Sequence, residues 1–435
     1  MRNSIYQKRR KKIFGMMENN SIALMQSASE KIRNNDVFYS YRQCSNFFYL
    51  TGHNEPDGIL VLSKRNRKSY TYFFTKKPTK LQETWTGAID SSAKLKNKLS
   101  VNECYYHSEI EERLYDLIKN SDTLYHSLDM ESKLNSLVTK IIKSLGKKYR
   151  QGLSYPSKII SFDKIIYRMR LIKSSEEIND IKKACSISVR AHKRLMKACH
   201  PGMTEYQIGA ELSHEFNTHN AKEAYPMIIA SGKNACILHY MKNNCKLKNG
   251  ELLLTDAAAE YKNYASDITR TIPINGKFTQ PQKLLYEIVL AAQKNAIKKC
   301  LVGKYWKDIH KEAVKTITRG LINLGIIKGD LKNALHKKKY EKFYMHGTGH
   351  WLGLDVHDPC EFLGGENTLK LKSGMIFTVE PGIYIKTDKS VPSKFHNVGI
   401  RIEDDVLISR NGPVVLTSSL PKEVRDIEKT MGKNG

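Results

Sequence analysis

Apolar and polar residues follow two different patterns along this chain. Before about residue 165, short apolar runs such as GILVLS (58–63) and SYTYFFT (69–75) alternate with charged stretches such as IEERLYDLIKN (110–120). Short apolar runs predict strands, and apolar residues at helical spacing predict helices. We therefore expect residues 1–170 to form an N-terminal α/β domain.

From residue 171 onwards, the pattern predicts longer helices separated by paired strands. Helices are predicted near 176–199, 204–218, 280–300 and 306–324, and strands near 226–231, 251–257, 264–274, 375–379 and 399–408. Ser174, Thr204 and Thr279 are each followed three residues later by Glu or Gln, which is the capping-box signature of a helix start. Paired strands with helices between them predict an α+β domain over residues 171–435.

Composition and charge narrow the class of protein. The chain has 435 residues, 40% of them hydrophobic and 27% charged, and its net charge is +28. This length is typical of two domains rather than one. The charge raises nucleic acid as an alternative partner. Because the lysines are spread along the chain and the basic runs are short, no nucleic-acid partner is expected.

Cysteine spacing and hydropathy indicate the compartment. The eight cysteines include no C-x-x-C pair, so neither a structural zinc site nor a disulfide framework is predicted. No window approaches the ~18 apolar residues of a membrane span, and no signal-peptide core follows the basic N-terminus. A cytoplasmic protein without a membrane partner is expected. An organellar presequence is the alternative, but apolar residues at helical spacing over residues 6–17 favour an ordinary first helix.

Four carboxylates lie within or at the ends of apolar strands. Asp256 and Asp267 flank a segment whose midpoint, EYKN, predicts a hairpin turn that would bring the two side chains together. Glu380 ends the apolar run GMIFTV, and Glu403 interrupts VGIRIEDDVLI. Each alone is more often a capping, turn or surface residue. Four converging carboxylates need roughly matching positive charge, which two divalent ions supply.

The stretch MHGTGHWLGLDVHD (345–358) places His346, His350 and His357 among glycines. From these residues alone, the three histidines are metal ligands, a proton shuttle or a coincidence. Carboxylates with one imidazole suit Mn²⁺ or Fe²⁺, with Co²⁺ and Zn²⁺ as alternatives. Together with the four carboxylates, the loop predicts an oxygen-rich site for two metal ions.

Four blocks, TDAAAEYKNYASDITRT, MHGTGHWLGLDVHD, TVEPGIY and GIRIEDD, together resemble the pita-bread metallopeptidases, and most closely the aminopeptidase P family. The segment YSYRQCSNFFYLTGHNEPDGILVL (39–62) resembles the non-catalytic N-terminal domain of that family. The resemblance covers most of residues 30–410. It implies a pita-bread catalytic domain and hydrolysis of the Xaa-Pro bond in peptides with proline at the second position.

The resemblance also implies the metal ligands. Asp256 would bind one ion, and His350 and Glu380 would bind the other. Asp267 and Glu403 would bridge the two ions, which are expected to be Mn²⁺. A hydroxide bridging the ions would attack the scissile carbonyl, and Glu380 would carry a proton to the departing proline nitrogen.

Further residues match substrate-facing positions of the family. His239 and His357 would stabilise the tetrahedral oxyanion and position the substrate carbonyl. His346 would line the proline pocket. Arg401 and Tyr384 match residues that orient the metal-binding carboxylates.

Trp85, in ETWTG, would help to form a substrate pocket, either in its own subunit or in a neighbouring one. Because the family allows tetramers, a homo-oligomer, either a dimer or a tetramer, is expected. Two positions depart from the family's usual glycine, namely Ala258 and the position near Cys360. Neither is a ligand, so these departures bear on loop geometry rather than on the ligand set.

Two other functions stay open at this point. A prolidase, which cuts only Xaa-Pro dipeptides, shares the same ligand set, although the N-terminal segment favours aminopeptidase P. A non-catalytic protein that binds a partner through the same fold is the other alternative. The presence of all five ligand residues disfavours it.

Overall fold

The computed structural model describes residues 2–128, 133–360 and 369–432. Contacts between residues divide the chain into two units, Met1–Met169 and Arg170–Gly435. Each unit has a buried apolar cluster of its own. Among the described helices, none combines the length and the apolar run that crossing a bilayer requires.

The first part of the chain alternates short strands and helices, as its hydrophobic pattern predicts. Its strands are β1 (Ser21–Gln26), β2 (Ile32–Asn34), β3 (Val37–Phe38), β4 (Ile59–Arg65), β5 (Lys68–Thr75), β6 (Glu103–Tyr106), β7 (Thr123–Tyr125) and β8 (Lys158–Ile160). Its helices are α1 (Arg2–Met16), α2 (Ser45–Thr51), α3 (Lys80–Thr86), α4 (Ser92–Leu99), α5 (Ile110–Ile118), α6 (Lys133–Gly146) and α7 (Phe162–Leu171).

Six of these strands form one mixed sheet in the order β6-β5-β4-β1-β7-β8. β4 pairs antiparallel with β1 and β5, whereas β6, β7 and β8 join in parallel. Leu24, Val61 and Phe74 from three neighbouring strands are buried in the core. The predicted α/β class of the N-terminal domain is confirmed.

The second part of the chain contains longer helices and smaller sheets. Its helices are α8 (Ser175–Ala198), α9 (Glu205–Thr218), α10 (Gln280–Ile297), α11 (Trp306–Asn323), α12 (Leu331–His336) and α13 (Val424–Met431). Its strands are β9 (Lys222–Glu223), β10 (Ile228–Ser231), β11 (Leu252–Asp256), β12 (Ala259–Tyr261), β13 (Tyr264–Ala265), β14 (Thr269–Pro273), β15 (Ile376–Val379), β16 (Gly382–Ile385), β17 (Val398–Arg401), β18 (Asp404–Ser409) and β19 (Gly412–Val415).

The helix starts were well specified by local sequence. Capping boxes are formed at Ser174, Thr204 and Thr279, where the side chain three residues on accepts a hydrogen bond from the cap N–H. A capping box satisfies two backbone N–H groups that the helix leaves unpaired, so it needs no tertiary contact to mark the boundary. The predicted α+β class of this domain is confirmed.

The EYKN segment forms the predicted hairpin turn. Lys262 and Asn263 have φ of 52° and 66°, in the left-handed region that tight two-residue hairpin turns require. β12 pairs with β13 beside the turn, and β11 pairs antiparallel with β14 farther away. Asp256 ends β11 opposite Thr269, so the hairpin brings Asp256 and Asp267 to the same edge.

A second antiparallel pair carries the other two carboxylates. β15 and β18 place Val379 opposite Asp404, so Glu380 and Glu403 lie next to each other just beyond the paired residues. The single strands predicted over 264–274 and 399–408 are wrong, because each is two strands separated by a break. At the second break, the N–H of Glu403 donates to the carbonyl of Thr269 at 3.1 Å instead of continuing one ladder.

Candidate metal centre

A cavity of about 700 Å³ opens where the two strand pairs meet. All five predicted ligands line it, namely Asp256, Asp267, His350, Glu380 and Glu403. The predicted substrate-facing residues His239, His346, His357 and Arg401 line the same cavity. Residues more than a hundred positions apart in the chain are therefore brought to one place.

Three of the predicted ligands form the closest group. Asp267, His350 and Glu403 each offer one ligand atom, and these atoms lie within 4.8 Å of one another. Asp267 lies between β13 and β14, His350 in the glycine-rich loop, and Glu403 in the break between β17 and β18. The three side chains are near enough to hold one cation between them.

The other two carboxylates flank this group. Glu380 Oε1 lies 3.7 Å from Nε2 of His350. Asp256 is joined to Asp267 by the hydroxyl of Tyr225, which is 2.6 Å from Asp256 Oδ1 and 2.5 Å from Asp267 Oδ1. The five side chains therefore extend the site on both sides of the central group.

A backbone carbonyl orients the ring of His350. Its Nδ1 donates a hydrogen bond to the carbonyl of Trp351 at 3.1 Å, and Nε2 lies 3.2 Å from Asp267 Oδ2. Burial lowers the pKa of His350, but the hydrogen bond and charge of Asp267, with the charge of Glu380, outweigh burial and raise that pKa to about 9. With Nδ1 engaged by the backbone, Nε2 is the nitrogen that can bind a metal ion.

The negative charges of the carboxylates in this cavity are not fully balanced by the positive side chains around them. Burial, followed by the charges of Asp267 and Glu380, raises the pKa of Glu403 well above its usual value. Burial raises the pKa of Glu380 to about 7 despite the opposing charges of His350 and Arg401. Burial also raises the pKa of Asp256. Buried carboxylates cannot all be ionised side by side unless a cation compensates their charge. Divalent cations bind such oxygen donors, so this donor set fits a metal site.

A glycine allows the loop to approach β15. A Cβ on Gly349 would lie 1.9 Å from the carbonyl oxygen of Thr378, so no other residue fits there without moving the backbone. The close approach lets His350 pair with β15 through two bonds, Thr378 N–H to the His350 carbonyl and His350 N–H to Thr378 Oγ1. Glycine therefore fixes the ligand histidine against the strand that precedes Glu380.

Arg401, Tyr384 and His346 form a hydrogen-bonded chain that begins at a ligand. Arg401 donates to Asp256 Oδ2 at 2.6 Å and to the hydroxyl of Tyr384 at 3.0 Å. Tyr384 then donates to Nε2 of His346 at 2.9 Å, because Nδ1 of that ring carries the proton given to the carbonyl of Gly347. Burial and the charge of Arg401 lower the pKa of His346 to about 4.

The remaining predicted residues lie in different surroundings. His357 packs edge-on against His350 with ring centroids 4.2 Å apart, and burial and the charge of His350 lower its pKa. His239 is exposed at the wall of the cavity. Trp85 lies on α3 of the first unit with 81% of its side chain exposed. Ala258 is fully buried among apolar residues.

Sequence reasoning missed several residues that hold the ligands in place. Tyr225 bridges two carboxylates, and its tyrosine in EAYPM carries no distinguishing local pattern. Arg270 was detectable, because a charged residue inside the buried strand TRTIP is as anomalous as the four carboxylates. Its guanidinium donates to the carbonyl of Glu403 at 2.6 Å and to Asp404 Oδ1 at 2.8 Å.

A second missed group lies behind the glycine-rich loop. The hydroxyl of Thr348 is 2.8 Å from Nδ1 of His310 and 2.6 Å from the hydroxyl of Tyr344. The carbonyl of Thr348 accepts the N–H of Glu380 at 2.8 Å. Thr348 therefore connects helix α11 to the strand end that carries a predicted ligand.

The α+β fold and the donor set define a metal-dependent hydrolase, and comparisons with known proteins identify its family. Residues 179–410 match the model of metallopeptidase family M24, and residues 6–125 match the aminopeptidase P N-terminal domain. The chain belongs to the aminopeptidase P branch of metallopeptidase family M24 and is an enzyme of that family.

Individual relatives agree with this assignment over almost the whole chain. The Xaa-Pro aminopeptidase of Escherichia coli strain K12 is 40% identical over 98% of this chain and 97% of its own length. Proline aminopeptidase P II from Yersinia pestis superposes with a TM-score of 0.97 at 39% identity, covering 100% of both chains. A zinc-substituted E. coli aminopeptidase P in complex with product superposes with a TM-score of 0.96 at 39% identity, covering 99% of this chain and 98% of that one.

Proposed function

We propose that this protein is an Xaa-Pro aminopeptidase that removes the N-terminal residue from peptides with proline at the second position. The observation that carries the proposal is the convergence of Asp267, His350 and Glu403 in a cavity also lined by Asp256 and Glu380. The named relatives, which match this chain over nearly its full length, support the same activity.

The five residues would hold two divalent ions, which we expect to be Mn²⁺. Asp256 would bind one ion, His350 and Glu380 the other, and Asp267 and Glu403 both. When bound, such ions supply the Lewis-acid chemistry that lowers the pKa of a water molecule and makes hydroxide available near neutral pH. Tyr225 and Arg401 would orient the carboxylates toward the ions, because Arg401 donates to Asp256 and the hydroxyl of Tyr225 lies between Asp256 and Asp267.

Glu380 is the proposed proton carrier. Its carboxyl group lines the cavity and lies 3.7 Å from Nε2 of His350, so it borders the space in which an attacking water would sit, and carboxylates there can carry protons. It would take a proton from the attacking water and give it to the proline nitrogen as the Xaa-Pro bond breaks. His239 and His357 line the same cavity and would donate hydrogen bonds to the developing oxyanion.

Proline at the second position needs a dedicated site. The amide nitrogen of proline carries no hydrogen, and its φ is restricted. A peptidase that recognises a backbone N–H at this position therefore cannot bind such a substrate. We propose that His346 lines the proline pocket, with its ring orientation fixed by Tyr384. We also propose a homo-oligomer in which Trp85, exposed on α3, completes a substrate pocket.

A peptide panel with defined metals tests the proposal. Metal-stripped protein is supplied in turn with Mn²⁺, Co²⁺, Zn²⁺ or Mg²⁺ and assayed on Ala-Pro-Leu-Ala, on the dipeptide Ala-Pro and on Ala-Ala-Leu-Ala. We expect cleavage of the first peptide, with Mn²⁺ most active, and little cleavage of the third. Cleavage of Ala-Pro alone would make the protein a prolidase instead.

Metal analysis separates the enzyme from a non-catalytic protein of the same fold. We expect about two divalent ions per chain after dialysis, and loss of both metal and activity in Asp267→Asn. The Asp116→Asn variant, which alters an exposed carboxylate on α5 outside both this cavity and the second cavity described below, serves as the matched control and should keep both. A chain that neither retains nor responds to a divalent ion would contradict the proposal.

A further inference from the structure

A second cavity, of about 470 Å³, adjoins the catalytic cavity. Leu238 lines both cavities. Met345 lines the second one, whereas the next residue, His346, lines the first. Tyr384 also lines the second cavity, and its hydroxyl is bonded to His346 at 2.9 Å. The two cavities therefore share a wall built from these four residues.

The second cavity is lined largely by apolar groups, some of them unusually exposed. Phe343 and Leu238 contribute to its lining. Ile237 and Met345 also line it, and their side chains are 50% and 48% exposed. Large apolar side chains that lie together in water, beside a catalytic cavity, indicate a surface that binds something apolar.

Charged side chains at the rim of the second cavity determine which peptides can test the apolar lining. Lys342 is paired with Asp388 at 2.5 Å, whereas Lys386 has no acidic ion-pair partner among the side chains that the structure describes. An acidic ligand would gain from Lys386 as well as from packing. A neutral polar side chain of the size of leucine, such as asparagine, therefore isolates the contribution of the apolar lining.

We propose that this second cavity is the subsite for the substrate residue that follows proline, and that it favours a large apolar side chain there. The inference rests on the proposed function, in which His346 lines the proline pocket. An extended chain advances ~3.3–3.6 Å per residue, so the next residue lies at the wall that the cavities share. Its side chain then covers the exposed surfaces of Ile237 and Met345.

The test compares peptides within one enzyme preparation. The kcat/KM values of the metal-loaded protein are measured on Ala-Pro-Leu-Ala and Ala-Pro-Asn-Ala, and we expect a ratio of about tenfold in favour of leucine. In the Ile237→Ser, Met345→Ser double variant, the ratio should fall to about twofold or less. Because the ratio is taken within each variant, partial loss of folded protein does not alter it.

The control variant lies outside both cavities. Val414→Ser alters an apolar residue on β19 that is 41% exposed and lies outside both cavities, so its ratio should match the unmodified protein. If the double variant does not fold, Ile237→Ser alone is used, with an intermediate ratio expected. A ratio near one in the unmodified protein, or an unchanged ratio in the variants, overturns the subsite.

Product binding separates failure of the subsite from failure of the proposed function. The affinities of Pro-Leu-amide and Pro-Asn-amide are measured by calorimetry with the unmodified protein and with Ile237→Ser. We expect the leucine compound to bind several-fold tighter, with the difference reduced in the variant. Absence of turnover with this preference intact would contradict the peptidase and keep the subsite, whereas equal affinities would overturn the subsite.

Discussion

At the scale of single residues, the centre depends on hydrogen bonds that hold its ligands in position. Asp256 receives a hydrogen bond from Arg401 and lies within hydrogen-bond distance of the hydroxyl of Tyr225. Glu403 is held by its side chain through Thr269 Oγ1 at 2.7 Å and by its carbonyl through Arg270. Arg401, Thr269 and Arg270 are buried, and Tyr225 is half-buried, so the positions of the carboxylates depend mainly on the protein interior rather than on water.

The hydroxyl of Tyr225 provides a direct test of this dependence. In Tyr225→Phe, the carboxylates Asp256 and Asp267 lose the group that joins them, and we expect divalent-ion affinity to fall by about tenfold, as is usual when a partner of a ligand is removed. Competition with a chelator measures this affinity. Tyr286→Phe is the control, because its buried hydroxyl donates to the carbonyl of Lys422 instead, at 2.9 Å. Equal affinities in both variants would contradict the role of Tyr225.

His192 gives the protein a pH-dependent stability. This buried histidine on α8 lies with Nε2 2.8 Å from the carbonyl of Ala257, and burial lowers its pKa to about 4. Between pH 6.5 and 4 the unfolded chain takes up a proton that the folded chain refuses, so stability falls as the pH falls. The expected contribution at pH 5 is a loss of about 2 kcal/mol relative to pH 7.

Urea unfolding at pH 7 and pH 5 in the presence of a chelator measures this loss. Trp306 and Trp351 in the second unit provide the fluorescence signal. His192→Gln can still donate to the carbonyl of Ala257 but cannot take up the proton, so its pH dependence should be weaker by about 2 kcal/mol. His214→Gln, at an exposed site on α9, should behave as the unmodified protein does. Identical pH dependence in all three proteins would rule out His192 as the cause.

At the scale of elements, the glycine-rich loop is held from both sides. β15 pairs with the backbone of His350, and helix α11 contacts Thr348 through His310. The aromatic packing of Trp306 on Trp351, with ring centroids 4.5 Å apart, joins the same helix to the residue after His350. The loop therefore has little freedom to move its ligand away from the carboxylates.

Thr348→Val removes the hydroxyl from this connection while keeping the shape of the side chain. We expect kcat/KM to fall by about tenfold or more, because small displacements of positioned groups lower rates strongly. Metal affinity should fall as well, which a chelator titration detects. Thr318→Val on α11 is the matched control, since its buried hydroxyl donates to the carbonyl of Val314 within the same helix. A larger effect of the control would contradict this account.

At the scale of the whole molecule, we expect a bound metal ion to stabilise the second unit and not the first. All five proposed ligands lie in the unit Arg170–Gly435. An ion that binds only the folded form stabilises that form by about 2.7 kcal/mol at a concentration of 100 times Kd. The first unit contains none of these residues and has its own apolar core.

Calorimetry with and without Mn²⁺ is expected to show two unfolding transitions, of which only one changes its unfolding temperature. Chelation should lower the unfolding temperature of the second unit and leave that of the first unchanged. In Asp267→Asn, the difference between the two conditions should largely disappear. An equal shift of both transitions, or a shift that persists in Asp267→Asn, would contradict the assignment of the metal site to the second unit.

Local sequence determined a large part of this protein. The capping residues Ser174, Thr204 and Thr279 specify helix starts because they satisfy N–H groups that lie one turn away in the chain. The left-handed turn at Lys262 and Asn263 is likewise a short-range property. Carboxylates inside apolar strands were visible as anomalies, because a buried charge without a partner is costly wherever the chain places it.

Only the tertiary structure decided how the anomalies come together. At the breaks that split the predicted strands, residues 266–268 and 402–403, the N–H of Asp267 donates to Asp405 Oδ2 at 3.0 Å and the N–H of Glu403 donates to the carbonyl of Thr269 at 3.1 Å, so each break bonds to a partner more than a hundred residues away. The roles of Tyr225 and Thr348 depend on partners 31 to 42 and 38 residues away, respectively, which no local pattern encodes. The reason is physical: helix caps and turns are satisfied within a few residues, whereas a cavity that can hold metal ions exists only after distant strands have paired.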